Sequence, residues 1–201
     1  MKRTDIINQV IRLKKFRTYL EVGIFNPEGN FDEIGCPRKI GVDIAVSRPP
    51  NVLKVSSDEF FALVRKGDSL FLPPAGCWDC IFIDGDHRAE QARKDLHNAL
   101  DFLALGGVIL MHDCLPASVS AATPEYHPGG WSGEVYKVFL EVRAREDLSS
   151  FCINTDNGVG VVWKAPNEHR LEAYEANYDA LRAHLDWMRL VEPKDFVKFL
   201  A

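Results

Sequence analysis

Between Thr18 and His112 the chain repeats one pattern: a short apolar, largely β-branched run that stops at an acid or a glycine, then a polar or helical stretch. The runs are Thr18 to Phe25 (TYLEVGIF), Lys39 to Ile44 (KIGVDI), Asn51 to Val55 (NVLKV), Asp79 to Asp84 (DCIFID) and Gly107 to His112 (GVILMH). They are too short for helices, and most lack the strict apolar–polar alternation of a strand with one wet face, so they read as strands buried on both faces. The intervening segments read as helices. Ile6, Ile7, Val10, Ile11 and Leu13 follow helical spacing with Thr4 as a cap; Ser56-Ser57-Asp58-Glu59 is a capping box opening a helix to about Arg65; an Ala- and charge-rich helix runs from about Arg88 to Leu103. Strands alternating with helices predict an α/β fold: a doubly wound, mostly parallel sheet with helices on both faces.

The pattern changes after His112. A loop rich in Pro, Ser and Gly spans Leu115 to Gly130, a helix is expected from about Ser132 to Ala144, and two apolar runs follow at Ser150 to Asn154 and Gly158 to Trp163. Asp156-Asn157-Gly158 between them supplies residues that tolerate positive φ, which predicts an antiparallel hairpin closing the sheet edge. Leu171, Tyr174, Tyr178, Leu181, Leu185 and Met188 recur at intervals of three and four, the stripe of a long amphipathic helix. The expected organisation is a Rossmann-like domain over residues 1–165 and a C-terminal helical extension over 166–201. That extension would pack on the domain or on a second subunit, making a homodimer.

Composition narrows the function. Of 201 residues, 46% are hydrophobic and 26% charged, enough for a core and too apolar for wholesale disorder. Asp and Glu number 29 against 24 Lys and Arg, so nucleic acid is not an expected partner. The longest apolar stretch, Val108 to Met111 with its lead-in from Ala104, falls far short of a membrane span. Met1-Lys2-Arg3 leads into polar residues rather than a signal-peptide core, so a cytoplasmic location is expected. Five cysteines form an odd set that reads as reduced thiols, and Cys77-Trp-Asp-Cys80 lacks the second pair or histidine of a zinc site.

In open parallel sheets, ligands bind beyond the carboxyl ends of the strands, where strand order reverses. The polar residues of this chain fall there: Glu21-Val-Gly23, Asp43, Asp84-Gly-Asp86-His87 and His112-Asp113-Cys114 end four of the expected strands. Together they predict one acidic cleft. Asp43 lies twenty residues after Gly23, the spacing at which an acid takes ribose hydroxyls in dinucleotide folds. Gly23 and Gly29 have five residues between them and no third glycine in phase, so a pyrophosphate cradle is missing. A nucleoside without phosphates fits better, and S-adenosylmethionine is the common one.

The segments YLEVGIFNPEGNF, KIGVD, SSDEFF, FIDGDHRAEQARKDLHNAL, LALGGVILMHDC, WSGEVYKVF and TDNGVGVV resemble, in that order, the small class I methyltransferases of methyltransferase family 24. Its relatives include macrocin and aminocoumarin sugar O-methyltransferases. The resemblance runs from Tyr19 to about Trp163. It implies that Glu21 and Gly23 line the methionine and ribose side, that Asp43 takes the ribose hydroxyls, and that Ser57 and Asp58 lie by the adenine. Asp84 would face the transferred methyl. Related sugar enzymes hold a divalent cation on acids matching Asp84, His112 and Asp113. With histidine at 112, a site of hard oxygen ligands for Mg²⁺ gives way to a softer ion on Asp84 and Asp113, or to no metal.

A sugar or alcohol hydroxyl does not lose its proton unaided at neutral pH, so a metal must lower its pKa or a base must take the proton as the bond forms. Asp84, His87 and His112 are the catalytic candidates, with His87 the expected base. The expected function is S-adenosylmethionine-dependent O-methylation of a small-molecule, sugar-like acceptor. The alternatives are a non-catalytic nucleoside binder of the same fold and a nicotinamide oxidoreductase. Structural readings stand beside these: Asp86 as a helix N-cap, Asp58 as a helix-start acid, His112 as a core histidine bonded to backbone. Trp131-Ser-Gly133 with Tyr126 and His127 falls where an acceptor pocket or lid would sit.

Overall fold

One sheet of eight strands organises the chain: β1 (Thr18–Val22), β2 (Arg38–Asp43), β3 (Val52–Lys54), β4 (Trp78–Ile83), β5 (Leu103–Met111), β6 (Leu148–Ile153), β7 (Val159–Lys164) and β8 (Leu190–Val191), in the order β3-β2-β1-β4-β5-β7-β6-β8. This computed structural model describes residues 1–48, 50–67, 73 and 77–200. β1 pairs in parallel with both β2 and β4, so the winding direction reverses between β1 and β4. β5 continues the parallel half, and β7 then pairs antiparallel with β5 and β6. The expected hairpin is present, its turn made by Asp156, Asn157 and Gly158 at φ 50°, 57° and 83°. It does not end the sheet, because β8 pairs in parallel with β6 outside it.

Successive side chains of a strand point to opposite faces, and both faces of β1 and β4 are covered. Leu20, Val22, Ile81 and Ile83 pack with α2 (Ser57–Arg65), α3 (Ala89–Asp101) and α4 (Val135–Ala144). Tyr19, Cys80 and Phe82 pack on the other side with Ile6, Ile7, Val10 and Ile11 of α1 (Arg3–Lys14) and with Phe196 near the C-terminus. Full burial of each such side chain contributes roughly 1.5–3 kcal/mol. Cys80 is part of this packing, and burial pushes its thiol pKa up.

Local signals placed most element ends within a few residues. Ser56 caps α2, accepting from Glu59 N while the Glu59 carboxylate accepts from Ser56 N. Thr4 is not a cap. α1 already starts at Arg3, whose N–H donates to Asp156 Oδ2 at 2.8 Å, and the buried Thr4 hydroxyl donates to Asn30 Oδ1 at 2.7 Å.

The long C-terminal helix is not formed; its place is taken by a six-residue α5 (Tyr178–Ala183), short 3₁₀ turns and β8. Arg143 on α4 ties this segment to the domain. It is buried, and its guanidinium donates to the carbonyls of Ser150 (3.1 Å), Trp187 (3.1 Å) and His169 (2.7 Å). Leu181 and Met188 are buried against α4 and its neighbours, so much of the apolar stripe is used inside this chain. No helix of the described residues is long and apolar enough to cross a membrane.

Candidate functional site

A cavity of about 990 Å³ opens at the carboxyl ends of β1, β2 and β4, where the strand order reverses. Gly23, Asp43, Ser57, Asp58 and Asp84 all line it, and so do Gln91 and Asp95 of α3 and Pro124, Tyr126 and Trp131 of the loop after β5. Three separate strands and the start of α2 therefore deliver residues to one place, as a doubly wound sheet requires.

Gly23 is the hinge of this crevice. It sits at φ +84°, and a Cβ there would lie 2.1 Å from the Asp84 carbonyl oxygen, so the first turn closes directly onto the end of β4. Asp43 holds that turn. Its Oδ2 accepts from the amides of Ile24 and Phe25 (2.9 Å each), and its Oδ1 accepts from Ala45 (2.7 Å) and Val46 (3.1 Å). Partial burial would raise its pKa, but the four N–H donors outweigh that and lower it. Asp43 thus shapes the loop as well as facing the cavity.

Glu21 takes another position. It alternates with Leu20 and Val22 and so points to the α1 side, 1% exposed, accepting from Tyr19 Oη (2.6 Å) and Asn30 Nδ2 (3.1 Å). It does not line the cavity. Burial pushes its pKa up to about 7, against the two hydrogen bonds, which act the other way.

Behind Asp84 lies a network of opposite charges. Asp84 Oδ1 is 3.3 Å from both His87 Nε2 and His112 Nδ1, and its Oδ2 is 3.7 Å from Arg3 Nε. His112 Nδ1 donates to Asp113 Oδ2 at 2.9 Å, while its Nε2 faces Arg3 Nη1 at 3.2 Å and Asp156 Oδ1 at 3.5 Å. His112 is therefore ringed by carboxylates, not bonded to backbone. Burial works against its charge, but Asp84, Asp113 and Asp156 outweigh it and hold the pKa well above the ordinary histidine value. Burial likewise opposes ionisation of Asp84, yet His112, His87 and Arg3 keep its carboxyl well below the usual range. The hydrogen bond from His112 lowers Asp156 to about 2 despite its partial burial. Asp113, at φ +59°, also accepts from Ser132 Oγ at 2.9 Å. Strained backbone of this kind concentrates at functional sites.

Of this network only Asp84 reaches the cavity wall. His87 is screened: its ring stacks on Trp131 at 4.8 Å and 20°, and its Nε2 points at Asp84 and, at 3.6 Å, Asp113. Gly133 (φ +62°) lets the loop press on it, since a Cβ there would lie 2.5 Å from the His87 carbonyl oxygen. Tyr126 packs edge-on against Trp131 at 5.4 Å. Among the described residues, one set of side chains converges as metal ligands do: single donor atoms of Asp84, His87 and Asp113 lie within 4.8 Å of one another. The sequence predicts Asp84 and Asp113 as ligands; His87 joins them, whereas His112 lies against both carboxylates as their counter-ion. Two carboxylates and one imidazole fit a borderline divalent ion better than an all-oxygen shell does.

Ser57 and Asp58 lie at the start of α2, across the cavity from this network, and both accept from Gln91 Nε2 at 3.2 Å. Asp86 is not an N-cap of α3, a position held by Arg88; it binds the Arg88 backbone amide and guanidinium instead. Sequence reasoning missed Arg3, Asp156, Gln91 and Asp95. Only Asp95 left a trace, being an acid on the same α3 face as Ala92 and Ala99, both buried.

Comparison with known proteins agrees with this geometry. Residues 42–114, from the end of β2 to just past β5, match the family model described as a methyltransferase domain. The fold is that of a class I methyltransferase. An O-methyltransferase from Bacillus cereus, in complex with SAH, is 12% identical over 81% of this chain and 80% of its own, with a TM-score of 0.58. The O-methyltransferase TomG of Streptomyces achromogenes, involved in tomaymycin synthesis and in complex with SAM, is 14% identical over 81% and 79%, with a TM-score of 0.57. The mycinamycin-pathway methyltransferase MycE, in complex with Mg and SAH, is 17% identical over 82% of this chain and 50% of its own, at 0.52. No curated protein matches the sequence.

Proposed function

We propose that this protein is an S-adenosylmethionine-dependent methyltransferase acting on a hydroxyl of a small, sugar-like acceptor. One observation carries the reading: the cavity of about 990 Å³ at the reversal of strand order, with the Gly23 turn and Asp43 on one wall and Asp84 on another. Such a cavity is the size of a cofactor site. The similar folds whose structures hold SAM or SAH support the choice of ligand.

In the transfer the S–CH₃ bond breaks as the O–CH₃ bond forms, its electron pair stays on sulfur, and the hydroxyl proton passes to the ionised Asp84 carboxylate on the cavity wall and from there to solvent. The sulfonium already carries a good leaving group, so the protein's work is alignment and proton removal. Asp84, the one member of the charge network on the cavity wall, positions the acceptor hydroxyl and the sulfonium. Arg3 and His112 hold its carboxylate in place from behind. Asp84, His87 and Asp113 would hold a divalent cation, and when bound it would lower the pKa of the acceptor hydroxyl. His87 Nε2 then serves as a ligand donor. With that nitrogen turned to the carboxylates and the ring under Trp131, base action on an acceptor in the cavity needs a shift of the loop.

Calorimetry with SAH tests binding, and transfer of labelled methyl to a panel of sugar and alcohol acceptors, with EDTA, Mg²⁺ or Mn²⁺, tests turnover. Saturable SAH binding and acceptor-dependent label transfer are expected. Absence of SAH binding at millimolar ligand overturns the reading. Asp84→Asn should reduce turnover by about a hundredfold or more while SAH still binds.

A further inference from the structure

Arg3 comes to the charge network from the start of α1, and two long-range bonds fasten it there. Its own N–H donates to Asp156 Oδ2 at 2.8 Å, and Thr155 Oγ1 donates to the Met1 carbonyl at 2.8 Å. The guanidinium is thereby carried to two carboxylates at once: Nε lies 3.7 Å from Asp84 Oδ2, and Nη1 lies 3.7 Å from Asp156 Oδ1. Neither separation is a hydrogen bond, and the Nε is buried with no hydrogen-bond partner. Charge alone holds Arg3 against Asp84.

The same carboxylate is a ligand in the cation site formed with His87 and Asp113. Its Oδ1 faces His87 Nε2 at 3.3 Å, whereas its Oδ2 faces Arg3. A divalent ion and Arg3 therefore draw on the two oxygens of one carboxylate. A guanidinium keeps its charge at any working pH, so the two positive charges repel whenever both are present. Even at the dielectric constant of water, one positive charge about 6 Å from a divalent ion weakens its binding by about tenfold, and burial enlarges the effect. Asp156 gives Arg3 a second carboxylate to rest on when Asp84 turns to an ion.

We propose that Arg3 is a resident counter-ion that competes with a divalent cation for Asp84, so that the site binds the cation weakly and releases it readily. This rests on the reading that Asp84, His87 and Asp113 hold such an ion. Arg3 does not line the cavity and acts through Asp84, which makes it a positioning residue.

The test is Mn²⁺ binding to the whole protein without acceptor, followed by loss of the free-ion EPR signal and by calorimetry. Arg3→Met should bind Mn²⁺ at least about tenfold more tightly than wild type. Because the contact is one of charge and not a bidentate fork, Arg3→Lys should stay within about threefold of wild type. A merely structural role predicts the opposite of tightening, since a loosened ligand set loses affinity. Asp113→Asn should weaken binding by at least about tenfold in both the wild-type and Arg3→Met backgrounds, which ties the ion to this site. If Arg3→Met binds Mn²⁺ no more tightly than wild type, the inference is overturned while the cation site stands. If neither protein binds Mn²⁺ at millimolar concentration, or if Asp113→Asn changes nothing, the cation site falls and the inference with it. The bonds from residue 3 N to Asp156 and from Thr155 to the Met1 carbonyl are kept in Arg3→Met, so the variant retains the fastening of α1.

Discussion

Replacing Gly23 by alanine puts the geometry of the crevice to a direct test. At φ +84° an L-residue pays about 1–2 kcal/mol for the left-handed backbone. The new methyl would also lie 2.1 Å from Asp84 O, 2.5 Å from Asp84 C and 2.5 Å from Gly85 Cα, all backbone atoms. No side-chain rotamer relieves such a contact. The β1 turn and the end of β4 must move apart by an ångström or more, and overpacking of this kind costs about 1–3 kcal/mol. The sum is about 2–5 kcal/mol of stability. It falls on the residues that position Asp84, so SAH affinity should drop at least about tenfold even where the variant folds. Gly29→Ala is the matched control: φ there is not positive and the nearest atom to its Cβ is 3.9 Å away, so it should stay within about 0.5 kcal/mol of wild type. Urea unfolding and SAH calorimetry on the two variants supply the measurements. Equal stability and affinity for both would refute the argument that the first turn closes on Asp84.

Three further outcomes follow from particular contacts. Asp43→Ala strips four backbone donors of their acceptor and should lower stability by about 1–3 kcal/mol and SAH affinity by about tenfold, read by the same two assays. Glu21, raised from 4.5 to about 7 by burial, keeps its proton in the native state while the unfolded chain loses it. The Glu21 contribution to stability should therefore fall as pH rises from about 4.5 to 7, by up to about 3 kcal/mol. Glu21→Gln removes that slope; urea midpoints identical in their pH dependence for both proteins would sink the assignment. Arg143→Met leaves the carbonyls of Ser150, Trp187 and His169 without their shared donor, so destabilisation by about 2–4 kcal/mol is expected. Limited proteolysis should then cut beyond Pro166 first; an unchanged cleavage pattern would mean that Arg143 does not hold the tail.

Local chemistry made part of this molecule legible before any coordinates. Periodicity separated strands from helices, the Ser56–Glu59 capping box located α2, and Asp156-Asn157-Gly158 located the hairpin. Each depends on residues within a few positions of one another, so one stretch of sequence contains the whole cause. The gathering of Gly23, Asp43, Ser57, Asp58 and Asp84 was legible for a related reason: a parallel sheet puts all its carboxyl ends on one side. The C-terminal stripe misled because spacing reports which side chains are apolar, not what they pack against: Leu181 and Met188 are buried against the domain from a six-residue helix and a 3₁₀ turn, with no continuous helix between them.

The order of residues by itself determined the alternation of elements, the parallel sheet and the strand ends at which an acidic crevice would form. Tertiary structure alone decided which charges meet behind Asp84. Arg3 and Asp156 are separated by 153 positions yet share a hydrogen bond, and Glu21 turned away from the cavity while Gln91 and Asp95 turned toward it. The physical reason is range. Backbone preferences act over a few residues, whereas the strength of a buried charge depends on whatever the fold carries to within about 4 Å of it.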